Sequence, residues 1–142
     1  MEDLENSVLA AAFNRYLGFI STGIKSGKYP AYKASGMAYV RFAREERELF
    51  KFLFMCDRHG EELKPTEDFE SSVDMIMNAN GCSRENASLM HLEMWVFVHG
   101  IATMLATSFL ELDDELVSRM LTDVYQGVRA RLTQEEDADG CN

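Results

Sequence analysis

Few residues in this 142-residue chain combine the types and spacings that chemistry needs. Cys56 and His59 stand three apart, within reach of a thiolate–imidazole pair or half a metal site. A metal needs more ligands, and Cys82, His91 and His99 show no companion spacing, so a helix-end cysteine and a surface histidine are the simpler reading. The stretch Gly18-Phe-Ile-Ser-Thr-Gly23-Ile24-Lys25-Ser26 approaches a phosphate-binding loop. Ile24, however, separates the second glycine from the lysine, and a helical pattern rather than a strand precedes it. Asn86-Ala-Ser88 matches a glycosylation acceptor but falls inside a helical stretch. No paired carboxylates stand on an apolar face, so nothing suggests general acid–base catalysis. What remains is Trp95 and His99, four apart on one helix face, and the aromatic and methionine side chains around them.

Those side chains are abundant: Met37, Tyr39, Phe42, Phe50, Phe54, Met55, Met75, Met77, Met90, Met94, Phe97 and Met104. Two readings fit. One is ordinary core packing. The other is an adaptable apolar cavity, because methionine re-packs around varied guests. Tyr39 and His99 would then be the few polar groups that orient a small molecule.

The elements that position these residues are helices. The chain is 46% hydrophobic with only two prolines, and long enough to hold one sizeable core as a single domain. Lys plus Arg is 14 against 24 Asp plus Glu, a formal net charge of −10. That excess disfavours nucleic acid and an anionic membrane surface as direct partners. Three cysteines without a C-x-x-C motif, and no opening secretory signal, fit a reducing, cytoplasmic setting. The most apolar window, Met94 to Leu110, is short for a membrane span and carries His99, so a buried helix is expected there.

Periodicity predicts six helices and no strand. The first runs from about Asp3 to Ser26 on two apolar stripes, Leu4, Val8, Ala12, Tyr16, Phe19 and Ile20, and Leu9, Phe13, Leu17 and Ile24, with Gly23 and Gly27 ending it. After the Tyr29-Pro30 break come Ala31 to Glu45 and a short helix from Arg47 to Cys56, apolar enough to be buried on most sides. A polar loop, Asp57 to Pro65, leads to a helix capped by Thr66 and stopped by Asn80-Gly81. Ser83 caps the fifth, to about Leu110; Asp113 or Asp114 opens the sixth, to about Leu132. Residues 133–142 read as a frayed acidic tail beyond a domain of residues 1–132.

At this point a family pattern emerges. Trp95-Val-Phe-Val-His99-Gly100 resembles the W-x-x-x-H-G helix of TetR-type transcriptional regulators, in their C-terminal effector-binding domain. Gly36-Met-Ala-Tyr39-Val-Arg-Phe42-Ala43, followed by Leu49-Phe50, is similar to the family's G-x-A-Y-x-x-F-A-x-x-x-P-x-L-F segment, with Arg47 where the family has proline. The resemblance implies an all-α, six-helix regulatory domain whose last two helices pair with their copies in a four-helix dimer bundle. It implies an effector pocket among the earlier helices, no cofactor, no metal and no enzymatic activity. Effector binding would act by differential affinity for two states of the domain. Family members begin with a helix-turn-helix DNA reader. Met1-Glu-Asp-Leu-Glu5 resembles the tail of that reader, so DNA contact would need a segment ahead of these residues.

The resulting expectations are specific. Tyr39, Phe42, Phe50, Phe54, Trp95 and His99 line a pocket for an apolar or aromatic small molecule, with Tyr39 and His99 as polar anchors. Leu105, Phe109, Leu112, Met120, Val124 and Val128 form a homodimer interface. A second reading is a stand-alone interaction protein that heterodimerises with full-length regulators. A third is a small helical enzyme or metal protein using Cys56, His59 or His99.

Overall fold

The computed structural model describes residues 2–57 and 67–140. Among them are six α-helices and no strand: α1 Glu2–Lys25, α2 Ala31–Glu45, α3 Arg47–Phe54, α4 Glu67–Asn80, α5 Arg84–Ala106 and α6 Asp114–Gly140. His59, the proposed cap Thr66 and most of the loop between α3 and α4 lie outside the described residues.

The architecture is a set of helices gathered around α2, which packs against all five others. Its sequence explains this role. Ala34, Met37, Ala38, Tyr39, Val40, Phe42 and Ala43 are all buried, so small and aromatic residues alternate around more than one face. The small residues let neighbours approach closely. Gly23 of α1 is the clearest case: a Cβ there would come within 3.0 Å of the Ala38 Cβ and 3.3 Å of the Ala34 carbonyl. Gly23 therefore sits inside α1 as the point where two helices touch, and the helix stops instead at Gly27, whose φ is +69°.

Of the two apolar stripes on α1, Ala12, Tyr16 and Ile20 form the buried line, while Leu4, Val8, Phe13 and Leu17 remain exposed. On α3 only Phe50 and Leu53 are buried; Phe52 and Met55 face outward, so this helix uses one face rather than most of its circumference. The main core joins α1, α2, α3, α5 and α6. A second, smaller cluster of Val73, Ile76, Ala87, Met90 and Leu132 seats α4 on α5 and α6.

Helix ends follow local chemistry. The Ser83 hydroxyl accepts from the Asn86 N–H at 3.2 Å, and an Asp113 carboxylate oxygen accepts from the Leu116 N–H at 2.8 Å, capping α5 and α6. α4 stops at Gly81, whose φ is +66°. α5 stops at Ala106 rather than Leu110. Ser108 takes a φ of +57°, and the N–H groups of Ser108 and Phe109 donate back to the carbonyls of Leu105 and Met104. That is a left-handed helix cap built on serine instead of glycine. Arg47 donates to the Ser108 hydroxyl, and Arg44 donates to the Leu112 carbonyl (2.7 Å) and pairs with Asp114. Two arginines from the α2–α3 corner thus hold the α5–α6 connection. At the other end, α6 extends as helix to Gly140. Among the described residues its last buried one is Leu132, and Arg131 beside it pairs with Glu135 across one turn.

Candidate functional site

The side chains singled out from the sequence converge. Tyr39 on α2, Phe50 and Phe54 on α3 and His99 on α5 form one aromatic cluster. The ring centroids of Tyr39 lie 5.5 Å from Phe50, 5.2 Å from Phe54 and 6.2 Å from His99. Tyr16 of α1 closes the group, 5.1 Å from Phe54 and 5.5 Å from Phe42. These separations suit edge-to-face contact. Phe42 and Phe50 are completely buried. Trp95 lies at the margin, 46% exposed, its ring 6.0 Å from His99. The rings fill the cluster themselves, so a guest would have to displace them.

The two expected polar anchors are bonded to each other. The Tyr39 hydroxyl and His99 Nδ1 lie 2.7 Å apart. With the imidazole neutral and its proton on Nε2, the phenol donates to Nδ1. Burial pushes the Tyr39 hydroxyl far above its usual range, reinforced by neighbouring Tyr16, and burial lowers His99 below the ordinary histidine value. Both shifts favour the neutral forms that this hydrogen bond uses.

A second bridge of the same kind was missed from the sequence. Tyr32 and His91 Nδ1 meet at 2.9 Å, again between α2 and α5. Phe69 of α4 packs edge-on against His91 at 4.9 Å, and Tyr125 of α6 lies 5.9 Å from Tyr32. The Asn80 amide donates to the Tyr125 hydroxyl at 2.9 Å. Burial, then the nearby Tyr125, raises the Tyr32 hydroxyl, and burial lowers His91. The available signal was spacing. Tyr32 and Tyr39 are two helical turns apart, and so, within one residue, are His91 and His99.

An open surface cavity of about 550 Å³ lies elsewhere, on the outer side of α1 and α2, lined by Asn14, Arg15, Gly18, Phe19, Thr22 and Arg41 among others. Both guanidiniums stand over the Phe19 ring, at 5.5 and 5.8 Å, and each is paired, Arg15 with Glu46 and Arg41 with Glu45. None of Tyr39, Phe42, Phe50, Phe54, Trp95 or His99 lines it. Its openness and its two arginines set it apart from the buried aromatic cluster.

The expected interface residues divide. Phe109 is 76% exposed. Leu112, Met120, Val124 and Val128 are half-buried against the chain's own clusters, and Leu105 is buried within the protomer. The exposed apolar surface of the second half lies instead on Leu89, Leu92, Trp95, Val96 and Met104 of α5, with Leu110 and Leu116 beyond it. By length and composition alone α5 could cross a membrane, yet it packs against α2, α3, α4 and α6.

A hub helix tied to α5 by two Tyr–His bridges, beside an exposed apolar face, defines an all-α domain organised around α2. The chain belongs to the tetracyclin repressor-like C-terminal domain family, whose pattern matches residues 32–124, well over half its length. The match spans α2 to the first part of α6, and so includes both Tyr–His bridges. No curated protein and no solved structure gives a significant match. Domains of this family serve transcriptional regulators as ligand-binding and dimerisation parts.

Proposed function

We propose that this domain senses an apolar or aromatic small molecule in the cytoplasm and forms a homodimer, controlling DNA binding by a helix-turn-helix ahead of α1. The observation that carries the reading is the Tyr39–His99 bond inside a shell of aromatic rings. It is a polar pair held ready in an apolar setting, as ligand sites are built. A guest that enters among Phe50, Phe54 and Trp95 takes over these two hydrogen-bonding groups. Phe42 supports the site from beneath. Tyr39 rides on the helix that touches every other one, so a change there reaches both α1 and α5. The guest shifts the domain's equilibrium only by its differential affinity for the two arrangements.

The dimer contact in this reading uses the exposed face of α5 and the α5–α6 connection, including Phe109. Leu112, Met120, Val124 and Val128 contribute their exposed edges, and Leu105 supports the face from within. Each chain carries −10, so the contact must be apolar enough to outweigh repulsion.

Native mass spectrometry of the purified chain tests both halves together. The expected species is a dimer of the 16.1 kDa chain, with retained ligand appearing as excess mass that Tyr39→Phe and His99→Leu reduce. The single tryptophan, Trp95, reports occupancy through its fluorescence. A monomer at micromolar concentration that takes up no apolar aromatic compound would overturn the proposal.

A further inference from the structure

The open cavity between α1 and α2 has a lining unlike the chain as a whole. Arg15 and Arg41 line it, with the neutral side chains of Asn14 and Thr22 and the ring of Phe19, and no carboxylate stands among the lining residues. The whole chain has a net charge of −10. Asn14, Gly18 and Thr22 succeed one another at four-residue steps, with Arg15 and Phe19 beside them, so one face of α1 supplies all five. α2 adds Arg41 from across the groove.

The two guanidiniums are oriented but only partly used. Both stand over the Phe19 ring, 5.5 and 5.8 Å from its centroid. Arg15 donates to Glu46 through Nε and Nη2, and Arg41 donates to Glu45 through Nε, both glutamates lying outside the lining. Among the described residues, Arg15 Nη1 and the Nη1 and Nη2 groups of Arg41 have no acceptor, and the side chains of Asn14 and Thr22 have no hydrogen-bond partner. Two like charges are thus held against one ring, a placement that an added anion relieves. The free edge of Arg41 is the planar fork that meets a carboxylate with two parallel hydrogen bonds. At Gly18 an added Cβ would meet nothing within 4 Å, so the helix surface is bare beside the arginines. A volume of about 550 Å³ is of the size that small-molecule sites have.

We propose that this cavity binds a planar aromatic carboxylate, at a site separate from the Tyr39–His99 cluster. The carboxylate accepts from the free edge of Arg41 and from Arg15 Nη1. The aromatic ring lies along Gly18 against Phe19, and Asn14 and Thr22 offer hydrogen bonds to ring substituents. Both parts of the guest are needed. An inorganic oxyanion satisfies the arginines but leaves Phe19 uncovered, and a neutral aromatic covers Phe19 but leaves the cations without a counter-charge. A guest held by both arginines also bridges α1 to α2, adding a second tie to their close approach at Gly23.

The test is isothermal titration calorimetry of the 142-residue chain with naphthoate, using naphthamide as the neutral probe and inorganic phosphate as the probe without a ring. The variants are Arg41→Gln, Gly18→Leu and, within the aromatic cluster, Tyr39→Phe; circular dichroism establishes that each is folded. Naphthoate is expected to bind the wild type with a Kd in the millimolar range or tighter. Arg41→Gln should weaken it about tenfold or more, by removing charge-assisted hydrogen bonds. Gly18→Leu should abolish it by filling the floor of the cavity. Because the cavity is open to solvent, binding should also weaken as sodium chloride is raised. Naphthamide or phosphate binding as tightly as naphthoate overturns the ligand class. Naphthoate binding that is weakened by Tyr39→Phe and unchanged by Arg41→Gln and Gly18→Leu puts the acid in the aromatic cluster and overturns the cavity site. A wild type that takes up no naphthoate at millimolar concentration overturns the proposal as a whole.

Discussion

Replacing Tyr39 with phenylalanine removes one oxygen from the centre of the domain. Tyr39 is 4% exposed, and its hydroxyl is 2.7 Å from His99 Nδ1. The ring contacts with Phe50 and Phe54 survive the change, and no sizeable cavity forms. What is lost is one hydrogen bond, with a net contribution of about 1 kcal/mol, plus the cost of leaving Nδ1 without its buried partner. His99 is only half-buried, so water can reach the imidazole and keep that second cost small. The expected loss is about 1–2 kcal/mol. At about 4 °C per kcal/mol for a chain of this size, that is a fall in Tm of roughly 4–8 °C. Urea unfolding followed by circular dichroism, at one fixed protein concentration because association adds to stability, measures it. The interpretation needs a cycle: Tyr39→Phe, His99→Leu and the double variant. The pair should show a coupling of about 1 kcal/mol. A coupling below about 0.3 kcal/mol would refute the reasoning, because the two side chains would then contribute independently.

Three other outcomes follow from the same packing. His91 and His99 are lowered by burial, so the unfolded chain takes up protons that the folded one refuses, and stability falls as the pH drops below about 6.5. Tyr32 and Tyr39 are raised, so stability also falls above about pH 10; urea midpoints across pH should trace both limbs, and an acid limb unchanged by His91→Leu with His99→Leu would exclude the histidines as its source. Gly18→Ala should stabilise by about 0.5–1 kcal/mol, since its Cβ meets nothing, whereas Gly23→Ala, pressed onto Ala38 and Ala34, should give no gain or a loss; equal thermal shifts for the two would contradict the close α1–α2 approach. Ser83→Ala should cost about 1 kcal/mol by removing the cap on α5, read as a lower denaturation midpoint.

Legibility in the sequence followed how local each determinant is. α2 begins and ends where Pro30 and the pattern place it, and Ser83 caps α5, because a cap or a break is decided within a few residues. Trp95, His99 and Tyr39 were readable as neighbours because one helix face and one family pattern carry them. The end of α5 was not readable: its left-handed residue is Ser108, and serine announces no stop as glycine does. Nor could periodicity separate the two apolar stripes of α1, since it finds an apolar face without telling which part of it meets a neighbour. Leu105 shows the same limit on α5, where inward and outward faces are both apolar. The Tyr32–His91 bridge depends on the register of two helices about sixty residues apart, which no single stretch encodes.

That register has a mechanical meaning. The two Tyr–His bridges show α2 and α5 running in the same sense, pinned at points seven residues apart on one and eight on the other. In axial rise these are about 10.5 and 12 Å. Added to the apolar packing of α2 on α5, two pins so far apart oppose both pivoting and sliding. A slide of one turn would carry each imidazole past its phenol, with no tyrosine waiting for it. The two helices therefore travel as a single lever, and whatever opens one bridge frees that lever to swing about the other. With the Tyr39–His99 pin open, the Tyr32–His91 end would be the fixed point, and any displacement of α5 would grow toward Ala106.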